Sequence, residues 1–88
     1  MKVLKFGAVW CKECLVMKPM WKRIEAEIPE LQTEYYDADE SPEVLEKYKI
    51  EKIPVFIFLS KDGEELERLQ GVQNEDNLKE KVKSLLDR

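Results

Sequence analysis

The stretch Val3-Leu4-Lys5-Phe6-Gly7-Ala8-Val9-Trp10-Cys11-Lys12-Glu13-Cys14 decides the fold. Its first seven residues, Val3 to Val9, are apolar on both alternating faces apart from Lys5. That pattern predicts a central strand covered on two sides. After Cys14 the period changes: Met17, Met20, Trp21, Ile24 and Ile28 recur at steps of three and four, which predicts a helix with one buried face. Core packing accounts for this stripe. Pro19 lies inside the pattern, removes a backbone donor and crowds the previous turn, so a kink is expected there. Pro29 ends the helix or follows its end closely. Two cysteines thus stand where a buried strand hands over to a helix.

Outward from this junction the pattern continues to alternate. Thr33 to Asp39 reads as a second strand, carrying Tyr35, Tyr36 and Ala38. Ser41-Pro42-Glu43 has the form of a helix start, with a hydroxyl cap, a proline at the first position and an acid in the first turn. That short helix places Val44, Leu45 and Tyr48 on its inner face. Ile53-Pro54 precedes a wholly apolar strand, Val55 to Leu59, and Lys61-Asp62-Gly63 supplies a hairpin turn. The charged strand from Glu65 to Leu69 is expected at a sheet edge. Gly71 marks a break, and Asn74-Glu75-Asp76 opens a last helix with Leu78, Val82, Leu85 and Leu86 buried. The order is βαβαββα: an α/β protein with a four-stranded mixed sheet and helices on both faces. The first β–α–β unit makes a right-handed parallel pair, and the late hairpin adds two strands antiparallel to it. The chain shows no repeats, linkers or low-complexity segments, and one domain, residues 1–88, accounts for its length.

The C-x-x-C spacing has a chemical purpose at a helix start. The unpaired N–H groups and the helix dipole at the amino end stabilise a negative charge, so the thiol of Cys11 is expected to ionise more readily than a free one. Cys14, about one turn further in, is near enough to close a disulfide and is expected to be the more shielded sulfur. A division of labour follows. Cys11 attacks a substrate disulfide, and Cys14 then attacks the sulfur of Cys11 and releases the product. Lys12 favours the thiolate of Cys11 and Glu13 opposes it. A structural staple explains the pair poorly, because so short a loop removes little chain entropy. Zinc fits no better: a site needs about four ligands, and the chain offers two thiols and no histidine. No metal or other cofactor is therefore expected beyond the cysteine pair itself.

Taken in order, these features resemble the thioredoxin-like family. Trp10-Cys11-Lys12-Glu13-Cys14 after an apolar strand resembles the family's Trp-Cys-Gly-Pro-Cys segment, with Lys12-Glu13 in place of Gly-Pro. Pro19 matches its helix-kinking proline, Ile53-Pro54 its cis-proline, and Gly63 and Gly71 two further glycine positions. The likeness runs from Val3 to Leu86, over a minimal version of the fold that lacks the strand and helix preceding this core in full thioredoxins. The resemblance implies a protein-disulfide oxidoreductase, in which the backbone of Ile53 pairs with an extended substrate and Trp10, Pro54, Gly71 and Val72 line a shallow apolar surface. Lys5 stands where the family usually has a buried aspartate that assists proton transfer at the second cysteine. Its ammonium either tunes Cys14 or lies with its stem on the core and its charge in water. Val55 follows Pro54 where thioredoxins often have threonine, and Gly71 to Asp76 only loosely resembles the corresponding glutaredoxin segment. Protein disulfides are therefore preferred to glutathione mixed disulfides as substrates. The reductant is expected to be a thioredoxin-reductase-like enzyme or glutathione. A docking module with unused cysteines is the reading from another class, and the presence of both thiols and Pro54 argues against it.

Composition narrows the partners. The chain carries 15 basic and 19 acidic residues, a net charge of −4, and the two signs are interspersed. A nucleic-acid binder would need a basic face. Neither a basic start followed by an apolar segment nor a run of about 18 apolar residues appears, so a cytoplasmic protein without membrane contact is expected. That compartment keeps thiols reduced. A monomer is expected from the short charged edge strand.

Overall fold

The computed structural model describes residues 1–86. Strand β1 (Lys2–Gly7) leads through a turn into helix α1 (Lys12–Glu27). Strand β2 (Gln32–Asp37), helix α2 (Pro42–Lys47), strands β3 (Val55–Leu59) and β4 (Glu65–Gln70) and helix α3 (Glu75–Leu86) follow. The sheet order is β2-β1-β3-β4. β1 pairs in parallel with β2 and antiparallel with β3, while β4 pairs antiparallel with β3. Only β3 of the late hairpin therefore runs against β1. β4 reverses again and forms one edge, as its charged sequence requires.

Every residue of β3 is buried, because both faces of the sheet are covered. On one face, Val3, Phe56 and Phe58 pack with Met17, Trp21 and Ile24 of α1 and with Leu78, Val82 and Leu85 of α3. On the other, Leu4, Phe6, Val55 and Ile57 pack beneath Val44, Leu45 and Tyr48 of the α2 region. The alternation of Cβ atoms along β1 and β3 divides the two cores. Exposed ion pairs, Arg23–Glu75 at 2.6 Å and Lys79–Glu27 at 2.9 Å, link α1 to α3 at the surface, where such pairs contribute little.

Several boundaries differ from the sequence reading. β1 stops at Gly7, and Ala8 and Val9 leave the ladder because the chain must turn into α1: the N–H of Cys11 donates to the Ala8 carbonyl at 3.2 Å, and Val9 is 76% exposed. β2 stops at Asp37, whose carboxylate accepts the N–H of Asp39 and of Glu40 and so forms a turn. Pro19 lies within α1, where the pattern places it. The Ser41 hydroxyl makes no capping bond, so Pro42 alone marks the start of α2. By contrast, the Asn74 side chain accepts the N–H of Asn77 at 3.0 Å and caps α3. Leu86 is half-buried rather than buried. Gly63 takes the positive φ of 87° that the hairpin requires.

Candidate active site

Cys11 occupies the N-cap of α1 in an extended conformation, φ −87° and ψ 112°, and its Sγ accepts the backbone N–H of Cys14 at 3.2 Å. The cap position is what presents this sulfur to the unpaired amides of a 16-residue helix. Cys11 and Cys14 are joined in a disulfide, with their Cα atoms 5.2 Å apart. Lys12 and Glu13, between them, point their side chains into solvent.

Three other segments meet this turn. The Ile53–Pro54 peptide is cis, and Pro54 is buried. Gly71, at a positive φ of 86°, donates its N–H to the Pro54 carbonyl at 2.8 Å. The loop after β4 is thereby held beside Pro54. That loop is also tied to α1, where the Gln73 N–H meets Met17 Sδ at 3.3 Å. Val72 and Trp10 are exposed, Trp10 at 64%. The indole N–H of Trp10 donates to Asp39 at 2.9 Å. Ile53 is half-buried, and its side chain packs on the opposite core, so it offers the site its backbone alone.

A family model for thioredoxin matches residues 1–84. The chain belongs to the thioredoxin family. It is 37% identical to thioredoxin H5 of Oryza sativa subsp. japonica over 94% of its own length and 60% of that protein. It is also 37% identical to a thioredoxin of Chlamydia trachomatis, over 86% of its own length and 74% of that protein. The crystal structure of thioredoxin from Trypanosoma brucei brucei matches with a TM-score of 0.88 at 28% identity, over 99% of this chain and 75% of that one. The chain thus spans roughly 60 to 75% of the length of these relatives.

Within this thioredoxin fold Gly71 is bonded to Pro54, and Pro54, Lys5 and Cys14 line one cavity. Cys14 was expected to be the more shielded cysteine. Instead Cys11 is 8% exposed and Cys14 is half-buried. The N-cap folds Cys11 into the turn, whereas Cys14 faces a cavity behind the disulfide. The Lys5 side chain is part-buried, 18% exposed. Its ammonium pairs with Glu25 of α1 at 2.8 Å and lies 5.7 Å from the centre of the Trp21 ring.

Periodicity gave no sign of Glu25 or Asp39, since each meets its partner only through the tertiary fold. Gly7 did carry a signal, because a glycine inside an apolar strand marks close approach. A Cβ placed there would lie 3.2 Å from Cys14 Sγ and 3.3 Å from the Tyr35 ring. The ring lies at the surface and can yield, but a sulfur held in a disulfide cannot. Gly7→Ala is expected to destabilise the oxidised protein by about 1–3 kcal/mol. The dithiol form should lose less, because its Cys14 sulfur can rotate away and leave only the contact with Cys14 Cβ at 3.3 Å. Urea denaturation of both forms measures this, and equal losses would show that the sulfur is not what the methyl group meets. Among the described residues, no three His, Cys, Asp or Glu side chains are grouped to hold a metal, and no helix is long and apolar enough to cross a membrane.

Proposed function

We propose that the chain is a protein-disulfide reductase that cycles between the Cys11–Cys14 disulfide and its dithiol. The observation that carries this reading is the placement of Cys11 Sγ at the cap of α1, receiving an amide N–H, with a second sulfur bonded to it from the same helix turn. In the reduced protein the capping amide and the helix dipole favour the Cys11 thiolate. That thiolate attacks a substrate disulfide, forms one S–S bond to the substrate and expels the other substrate sulfur, which takes a proton from water. Cys14, as thiolate, then attacks Cys11 Sγ. The Cys11–Cys14 bond forms, the bond to substrate breaks and the second substrate thiol leaves. Two electrons have passed from the protein to the substrate, and no cofactor is needed.

Substrate binding follows from the surface around the sulfurs. An extended segment can pair with the free backbone groups at Ile53, over Pro54 and between Trp10 and Gly71-Val72. Such pairing is largely indifferent to sequence. The Asp39 bond holds the Trp10 ring in place, which reduces the ordering cost of contact. A thioredoxin-reductase-like enzyme recharges the disulfide, with glutathione as the competing reductant.

The test is a trapped intermediate. Cys14→Ser is expected to accumulate covalent complexes through Cys11 when mixed with disulfide-bearing proteins, released by dithiothreitol and visible on non-reducing gels. A surface that only docks would yield none. Supplying either a thioredoxin reductase with NADPH or glutathione, and following insulin reduction, identifies the reductant.

A further inference from the structure

A cavity of about 370 Å³ lies behind the disulfide, between the sheet and α1. Cys14, Gly7, Trp21, Lys5 and Glu25 are among the residues that line it. Trp21 is buried, and its indole N–H has no partner among the described residues. That nitrogen is sealed from contact with water, but a space of this size with the charged Lys5 and Glu25 side chains in its wall holds water. Cys14 and the Lys5–Glu25 pair therefore face one hydrated space.

The geometry sets unequal distances within it. Lys5 and Gly7 lie two positions apart on one face of β1, about 6.6 Å along the strand, and Gly7 abuts Cys14 Sγ. The four-carbon stem of a lysine can cover that span. Glu25 lies on α1 eleven positions beyond Cys14, about 16 Å along the axis. Coulomb energy falls with distance, so Glu25 acts on Cys14 more weakly than a Lys5 ammonium brought to about 4–6 Å of the sulfur. The other ionisable groups lining the cavity are Lys18 and Lys22 of α1 and Tyr35 of β2, while β3 contributes only apolar Phe56. Lys18 and Lys22 are exposed, and burial together with the Asp37 carboxylate raises the Tyr35 phenol above its ordinary value, so it stays neutral. Lys5 is the one of these cations bonded to a carboxylate across the cavity wall.

The geometry points to an exchange of partners coupled to the redox state: Glu25 holds the Lys5 ammonium while Cys14 is in its disulfide, and Lys5 turns to the Cys14 thiolate once that sulfur is freed. This rests on the reading of Cys14 as the resolving thiol. At the mixed-disulfide stage Cys14 loses its proton to cavity water, and its thiolate competes with the Glu25 carboxylate for Lys5. The thiolate then attacks Cys11 Sγ, as in the cycle above, and Lys5 returns to Glu25. Lys5 stabilises the attacking sulfur. Glu25 is a positioning residue that sets how readily Lys5 is released.

The two residues should act with opposite signs. A cation within about 4–6 Å raises the thiolate fraction of a thiol about tenfold or more. Nucleophilicity falls as basicity falls, with a Brønsted slope of roughly 0.4–0.5, so the net gain in rate is about threefold for each tenfold gain in thiolate. The probe is equimolar dithiobis-nitrobenzoate in stopped flow against the reduced protein. Its first nitrothiobenzoate is released by Cys11 and its second by Cys14. Lys5→Met is expected to slow the second phase about threefold and Lys5→Arg to restore it. Glu25→Gln is expected to speed it by a similar factor, and to have no effect in the Lys5→Met background. The first phase should be unchanged throughout. A slower second phase in Glu25→Gln, or the same Glu25→Gln effect with and without Lys5, would overturn the exchange. If the oxidoreductase reading itself were at fault, the wild-type protein would show no first phase faster than an ordinary thiol.

Discussion

Cys11→Ser is expected to reduce disulfide reductase activity at least about a thousandfold, the scale on which losing a covalent nucleophile is felt. A hydroxyl at this position is not ionised near neutral pH and cannot form the mixed disulfide. The remaining Cys14 has no intramolecular partner, so the chain can no longer deliver two electrons. The fold should survive. Serine is among the best N-cap residues, and its oxygen can accept the Cys14 N–H that Cys11 Sγ now accepts. The lost disulfide closes only a short loop, whose contribution to stability through chain entropy is small. Turbidity from insulin reduction in the presence of dithiothreitol reports activity, and thermal unfolding reports the fold. A variant that lost activity and unfolded together would place Cys11 in a structural role. One that retained even a tenth of the activity would remove it from the chemistry.

The largest expected effect on stability comes from Phe58→Ala. Phe58 is 0% exposed on the fully buried strand β3, in the core shared with α1 and α3. Removing a buried aromatic ring costs about 3–5 kcal/mol through lost transfer energy and the cavity left behind. Single domains have only about 5–15 kcal/mol in all, and a chain of 88 residues belongs toward the lower end. The variant is therefore expected to be partly unfolded at 37 °C. Urea denaturation should show a much lower midpoint with an unchanged slope. A loss below 1 kcal/mol would mean that the two layers do not meet at Phe58.

The elements were legible because each carries its own periodic signal. Met17, Trp21 and Ile24 mark one face of α1, and the unbroken apolar run Val55 to Leu59 marks a strand buried twice over. The site was legible for a similar reason: a cysteine at a helix cap, with a second three positions later, is a local arrangement whose chemistry does not depend on distant residues. Strand ends were read too long at Val9 and Asp39. The pattern there is still apolar or alternating, but the turn into α1 and the Asp37 side chain take over the backbone donors.

By itself, then, the order of residues determined the layers, the helix that presents Cys11 and the pairing of the two sulfurs. Hydrophobic period and cap chemistry are properties of neighbours along the chain. Only the tertiary structure decided that Lys5 meets Glu25, that Trp10 is held by Asp39, that Gly7 abuts Cys14 and that Cys11 is the less exposed of the two cysteines. The three contacts join residues on different segments of the chain, separated by 20 positions for Lys5 and Glu25 and by 29 for Trp10 and Asp39. A periodic pattern records that a face is buried but not which side chain lies opposite it, and that identity is settled by packing.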